Sequence, residues 1–385
     1  MSDTTILETS IRQRISDAGG FLPFDSFMQA ALYEPGLGYY ETQAIFGDSG
    51  DFITGADLGP WLSLGFSDLI LWGWRELGQP SEWILLEQGG GSGRLLLSVL
   101  KELEKQGICL PARIIEVECS QNLIQAQKKL FLESGFVIEH LASLADAGAL
   151  ENVLVMSNEL PDAFPVRCFR WKDGEFFERG VADRNGFQWQ DSDTPLQHDV
   201  PLISEVIRKQ WPEGYCSEWN PGLRSWQKEL AAVIKRGYSF CVDYGYSQQE
   251  YYRANRQEGT LLAHFKHQAV DTVFAQLGLQ DITAHIDFSA MLSAGLEHDL
   301  KPLLWMPQGA WLAQSPLVQE RVRQLAISPD VESLRLMTQA KRMLLPSGMG
   351  ESFKLFVQGS SEMTTAPTFL SGFNRVADIR IKPTV

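Results

Sequence analysis

The chain is poor in cysteine. Five cysteines are scattered over 385 residues, at Cys109, Cys119, Cys168, Cys216 and Cys241, with no C-x-x-C pair. That scatter argues against a disulfide framework and against a zinc cage. A long apolar run is also lacking. The most apolar stretch, Leu58 to Trp74, contains Asp68 and three glycines, and it is shorter than the roughly 20 residues of a membrane span. Basic residues are in the minority, 33 against 48 acidic, for a net charge of −15. No Lys/Arg cluster offsets that charge, so neither nucleic acid nor an anionic membrane is expected as a partner. Met1 to Gly20 has no apolar core and carries Asp3, Glu8 and Asp17, unlike a secretory or transit peptide. These absences lead to the expectation of a soluble, reduced, cytoplasmic protein. No internal repeat is present.

What is present is an ordinary globular mix, 44% apolar and 21% charged. At about 150 residues per domain the length allows two or three domains, or one domain enlarged by insertions. Thr4 to Ala18 spaces Leu7, Ile11 and Ile15 as an amphipathic helix, and Phe24 to Tyr33 reads as a second. Asp57 is placed to cap a helix running to about Leu77. From Trp83 the pattern alternates. Trp83–Glu87, Ala112–Glu118, Val137–His140 and Val153–Met156 read as strands, with helices at Gly93–Gln106 and Gln121–Glu133. Such alternation implies βαβ units and a parallel sheet. It resumes with a helix over Pro221–Arg236 and strands at Tyr238–Asp243 and Phe353–Val357. Between them, Lys172-Asp173-Gly174 marks a β-hairpin, and Asp191–Pro201 reads as a polar linker. Leu296–Leu345 reads as mostly helical, broken by prolines.

The strongest local signal is Glu87-Gln88-Gly89-Gly90-Gly91-Ser92-Gly93, between a predicted strand and a predicted helix. Glycines there allow a tight turn and bring backbone amides close to a ligand. The spacing is not the G-x-G-x-x-G of a nicotinamide site, and the G-K-[ST] of a phosphate loop is absent. The pattern E-x-G-x-G-x-G is similar to the first motif of class I S-adenosylmethionine (SAM) methyltransferases. Glu118 ends the next strand, where a carboxylate can accept hydrogen bonds from two ribose hydroxyls; the alternative is a surface acid beside a helix cap. Glu116 is the competing acid and is expected on the opposite strand face.

Together the motifs resemble one family. They are Phe27–Tyr33 with Pro35–Tyr40, Gly50-Asp51-Phe52-Ile53-Thr54, the glycine loop, Val117–Ser120, Ser157–Val166, Asp243-Tyr244-Gly245, Gly259-Thr260-Leu261 and Gln280–Phe288. The resemblance is to the MidA family of class I SAM-dependent methyltransferases, which includes the mitochondrial complex I assembly-factor protein arginine methyltransferase. It implies a Rossmann-like α/β sheet that binds SAM, an N-terminal helical segment, a substrate-side α+β insertion, and methyl transfer to a protein arginine. The chain departs from the family pattern at Gly55-Ala56-Asp57, Gly90, Leu160-Pro161 and Leu262–His267.

The expected organisation has N-terminal helices and a lid loop over 1–56 and a SAM-binding domain over 57–165, 215–295 and 350–360. Substrate-side insertions are expected at 166–214 and 296–349, with a tail at 361–385. Glu87, Gly89, Gly91, Gly93 and Glu118 are the expected cofactor residues, with Asp51 and Thr54 in the lid. Asn158, Glu159 and Asp162 follow a predicted strand at the sheet's carboxyl edge, where open α/β sheets bind ligands. There Glu159 could orient a guanidinium, Asp162 could assist it, and the Asn158 amide could meet acceptor or cofactor. An Asx-type turn with a capping acid is the alternative. His285 and Asp287 share a strand face and are candidate substrate contacts, with a hydrogen-bonded core histidine as the alternative. No further ligand has suitable spacing, so no metal is expected. Two other functions remain open: an assembly protein that keeps the SAM fold without catalysis, and a small-molecule methyltransferase.

Overall fold

A computed structural model describes residues 3–42, 58–265, 268–327 and 330–381. Its centre is an eight-stranded sheet, seven strands in one row and the short strand Ile286–Asp287 paired beside it with Gly245-Tyr246. The strands of the row are β1 (Ile84–Gln88), β2 (Arg113–Val117), β3 (Glu139–Leu141), β4 (Leu150–Asn158), β5 (Ile234–Tyr246), β6 (Lys301–Pro307) and β7 (Phe353–Gly359). They lie in the order β3-β2-β1-β4-β5-β7-β6. Strands β3 to β5 of that row are parallel, while β7 runs antiparallel to both β5 and β6. The order reverses between β1 and β4, which opens a crevice at their carboxyl ends.

The helices cover both faces because the strands are apolar on both. On one face lie α1 (Trp61–Glu76) and α2 (Arg94–Lys105). Leu96, Val99, Leu100 and Leu103 of α2 recur at helical spacing and are fully buried. On the other face, α3 (Gly222–Val233) and α4 (Phe288–Leu296) bury Trp226, Leu230, Phe288 and Met291 against β5–β7. The helix over Gln121–Ser134 joins β2 to β3 and seats Phe131 against the first layer.

The remainder departs from expectation in three places. Strand β6 lies within the segment 296–349 expected to be an insertion, yet it is the edge of the central sheet. Pro302 and Pro307 are tolerated there because an edge strand has no partner on one side. Cys216–Trp219, expected in the SAM-binding domain, instead pairs antiparallel with Arg167–Lys172 in a separate five-stranded sheet. The linker expected from Asp191 begins as strand, since Phe187–Pro195 pairs with Glu175–Asp183. The hairpin forms with Asp173 at φ 52° and Gly174 at φ 80°, the paired positive angles of a type I′ turn. The helices over Asp3–Asp17 and Phe24–Tyr33 bury Leu7, Ile11, Phe24 and Phe27 beside Cys168 and Val181 of this sheet.

Candidate active site

The glycine loop leaves β1 at the reversal point. Gly89, Gly91 and Gly93 have φ of 71°, 54° and 75°, angles that side-chain-bearing residues rarely adopt. The loop is held from below. Gly89 N donates to Val117 O at 2.9 Å, Gly90 N to Glu116 Oε1 at 2.9 Å, and Gln127 Nε2 to Gly91 O at 2.9 Å. Glu118, just past β2, accepts the amide of Ser120 at 3.0 Å and those of Cys119 and Gly91. Burial raises its carboxyl above the usual range, and these amide bonds oppose the rise.

A cavity of about 400 Å³ opens beside this loop. Gly89, Gly91 and Glu118 line it, with Cys119, Leu123, Ala142 and Leu144 beyond Glu118. Its lining also includes Glu159, Leu160, Asp162, Asp281, Tyr33 and Tyr40. Among the described residues no Lys or Arg lines it.

Glu159 sits at φ 50° immediately after β4, an uncommon angle for a non-glycine residue, and its amide donates to Val242 O at 2.9 Å. Asn158 does not line the cavity. Its Nδ2 donates to Glu159 Oε1 at 3.1 Å, so the amide holds Glu159. Asp162 is buried, and its backbone amide donates to Asp243 Oδ2 at 3.2 Å. Burial pushes the Asp162 carboxyl up to about 7; a Tyr244 hydrogen bond opposes this and the Asp281 charge adds to it. Burial likewise pushes Asp281 up to about 7, against a 3.1 Å hydrogen bond from the Tyr40 hydroxyl. The Tyr33 and Tyr40 rings stack at 5.3 Å, and Tyr33 OH donates to Ala163 O at 2.9 Å.

Several expectations are corrected by this geometry. Glu87 and Gly93 stand behind the loop and do not line the cavity. Gly93 opens α2, where a Cβ would lie 3.1 Å from Phe131. Glu116 is not turned away from the loop, because residues two apart on a strand share a face; it bonds Gly90 directly. His285 and Asp287 do not line this cavity but a second one, of about 480 Å³. Asp287 Oδ1 caps α4 by accepting Ser289 N at 2.9 Å and Ala290 N at 3.1 Å. His285 stacks on Tyr246 at 5.3 Å and meets Tyr244 edge-on; burial and Arg256 lower it to about 4. Asp51, Thr54, Asp57 and His267 lie outside the described residues. Sequence reasoning missed Asp281. An acid opening the short apolar strand Asp281–Thr283 was the available signal. Among the described residues no cluster of three His, Cys, Asp or Glu side chains could hold a metal, and no helix is long and apolar enough to cross a membrane.

Residues 67–305 match the family described as "Putative S-adenosyl-L-methionine-dependent methyltransferase". The chain belongs to this family. It is similar to the Drosophila melanogaster mitochondrial protein arginine methyltransferase NDUFAF7 homolog, at 28% identity over 90% of this chain and 83% of that protein. The human NDUFAF7 protein arginine methyltransferase is 26% identical over 86% of this chain and 78% of that protein. A Burkholderia thailandensis structure bound to S-adenosyl-homocysteine superposes with TM-score 0.86 at 27% identity, covering 97% of each chain. The resemblance to MidA-type methyltransferases stands, and so does the Rossmann-like class I fold. The cytoplasmic expectation is overturned: the curated relatives are mitochondrial proteins.

The methyltransferase of this family uses SAM, and the cavity fits it. Glu118 would offer a carboxylate to vicinal ribose hydroxyls, Leu123, Ala142 and Leu144 would offer an apolar berth for a flat base, and Gly89 and Gly91 would leave backbone room for the amino-acid end. When bound, SAM supplies a methyl already activated by its sulfonium.

Proposed function

We propose that the chain methylates arginine side chains of a protein. The observation that carries this reading is the convergence of Glu159, Asp162 and Asp281 on a cavity whose lining, among the described residues, includes no Lys or Arg. Carboxylates suit a guanidinium because its planar fork of donors pairs with them bidentately. Lysine, a point charge, gains less from that geometry. The names of the Drosophila and human relatives support the same acceptor.

In this reading Glu159 orients the guanidinium, held in turn by Asn158. Asp162 and Asp281 complete the anionic wall. A carboxyl near pH 7 can accept the proton that the methylated nitrogen sheds. Tyr33 and Tyr40 form one side of the wall and limit water around the acceptor. In the same reading one cofactor fold runs through β1–β7, with the 166–219 sheet and the N-terminal helices as the acceptor-side addition.

The test uses the purified full chain, methyl-labelled SAM and a protein extract from cells lacking the gene, followed by acid hydrolysis and amino-acid analysis. Label recovered as methylated arginine is the expected result. Label on lysine, or only in the small-molecule fraction, would overturn the assignment.

A further inference from the structure

Glu87 and Glu116 stand directly opposite each other on β1 and β2. Both are buried, with 1% and 0% exposure. Among the described residues no donor reaches Oε2 of either, and no Lys or Arg acts on them as a partner. Two like charges facing each other across a sheet without solvent or counter-charge repel strongly. One proton held between them removes that repulsion and supplies the missing donor.

The pair is built into the glycine loop. Glu116 Oε1 accepts Gly90 N at 2.9 Å, and Glu87 accepts the amide of Leu96 in the first turn of α2. A Cβ on Gly90 would collide with Glu116 Oε1 and lie 2.6 Å from Glu87 Oε2. A side chain at position 90 would therefore have to displace the two carboxyl groups beneath the loop. Neither acid lines the cavity.

We infer that Glu87 and Glu116 share one proton beneath the glycine loop, and that this pair positions the loop for the cofactor without touching it. Burial supports the assignment by pushing Glu87 up to about 8 and Glu116 well above the usual carboxylate range. The other charged group that acts on both is Glu118, which favours retention of the proton. Loss of the shared proton places two charges under Gly90 and Leu96 and displaces the loop. Glu87 ionises near 8 and leaves one proton between the two, so cofactor affinity falls only at the higher pH where Glu116 loses that last proton.

Glutamine can mimic the protonated partner permanently. In Glu116→Gln the amide oxygen accepts Gly90 N while Nε2 donates to Glu87, which locks the singly charged arrangement. Calorimetric titration with S-adenosylhomocysteine from pH 6.5 to 9.5 tests this on the full chain. The wild type should lose roughly tenfold affinity per pH unit above the transition. Glu116→Gln should match it within about threefold at pH 7 and then stay flat. Titration of the ligand amine and of Glu118, Asp162 and Asp281 is common to both proteins and cancels in the comparison. Parallel pH curves for the two, or a wild type indifferent to pH, would overturn the inference. Glu87→Gln is the mirror variant and decides by the same criterion if the first does not fold. Glu116→Leu leaves Gly90 N without its acceptor and should weaken binding at every pH; unchanged affinity would contradict the positioning role.

Discussion

The Tyr40 hydroxyl donates a 3.1 Å hydrogen bond to Asp281 Oδ1 across 241 residues of sequence. It brings a side chain from the N-terminal region against an acid that lies beyond β5. Because the bond stabilises the ionised carboxylate, it holds Asp281 below the value that burial alone would impose. Tyr40→Phe should therefore move the acidic limb of kcat/KM to higher pH. Asp162 and Asp281 are pushed up to about 7, so they are ionised above that pH and protonated below it. Activity on a cationic acceptor should rise as pH passes through about 7. A pH profile of the variant that overlays the wild type would show that the bond does not tune the site.

Glu118 is the test of the cofactor end. Glu118→Gln keeps its size but loses the charge that strengthens hydrogen bonds from hydroxyls. S-adenosylhomocysteine affinity should fall by about 10- to 100-fold, the worth of one or two charge-assisted hydrogen bonds. Calorimetry on the variant measures this, and circular dichroism confirms that the fold persists.

Asp287 distinguishes a cap from a substrate contact. Its Oδ1 accepts two amides at the start of α4. Asp287→Ala should lower stability by about 1 kcal/mol, the usual cost of losing an N-cap. S-adenosylhomocysteine affinity and turnover per folded molecule should be unchanged. A turnover loss with normal stability would return Asp287 to the substrate site.

Glu159 sits at φ 50° beside the cavity. A glycine adopts that angle without strain, so Glu159→Gly should stabilise the fold by up to about 1 kcal/mol in denaturant titrations. Methyl transfer should nonetheless collapse, because the proposed guanidinium clamp is gone. A variant that is both more active and more stable would contradict the proposed role.

The cofactor end was legible because it is local. Strand, glycine loop and helix follow one another between Ile84 and Lys105, and Glu118 follows one βαβ step later. The acceptor wall was legible only in part. Glu159 and Asp162 follow β4 directly, but Asp281 reaches them through a small antiparallel sheet. That sheet's strand is docked by Ala284 N donating to Asp162 O at 3.0 Å. Such a contact has no signature in local spacing. His285 and Asp287 lie in the same short segment, and nothing in local spacing distinguishes them from Asp281, the acid that lines the cavity. Strand β6 resembles part of a broken helical segment in sequence because Pro302 and Pro307 mimic helix breaks. The edge position that permits them is a property of the assembled sheet.

A crystal structure of the full chain with S-adenosylhomocysteine tests the central claim most directly. The account predicts the ribose hydroxyls on Glu118, the amino-acid end at Gly89–Gly91, and the sulfur facing the wall of Glu159, Asp162 and Asp281. A ligand lodged in the second cavity beside His285, or a sulfur turned away from those three acids, would contradict it.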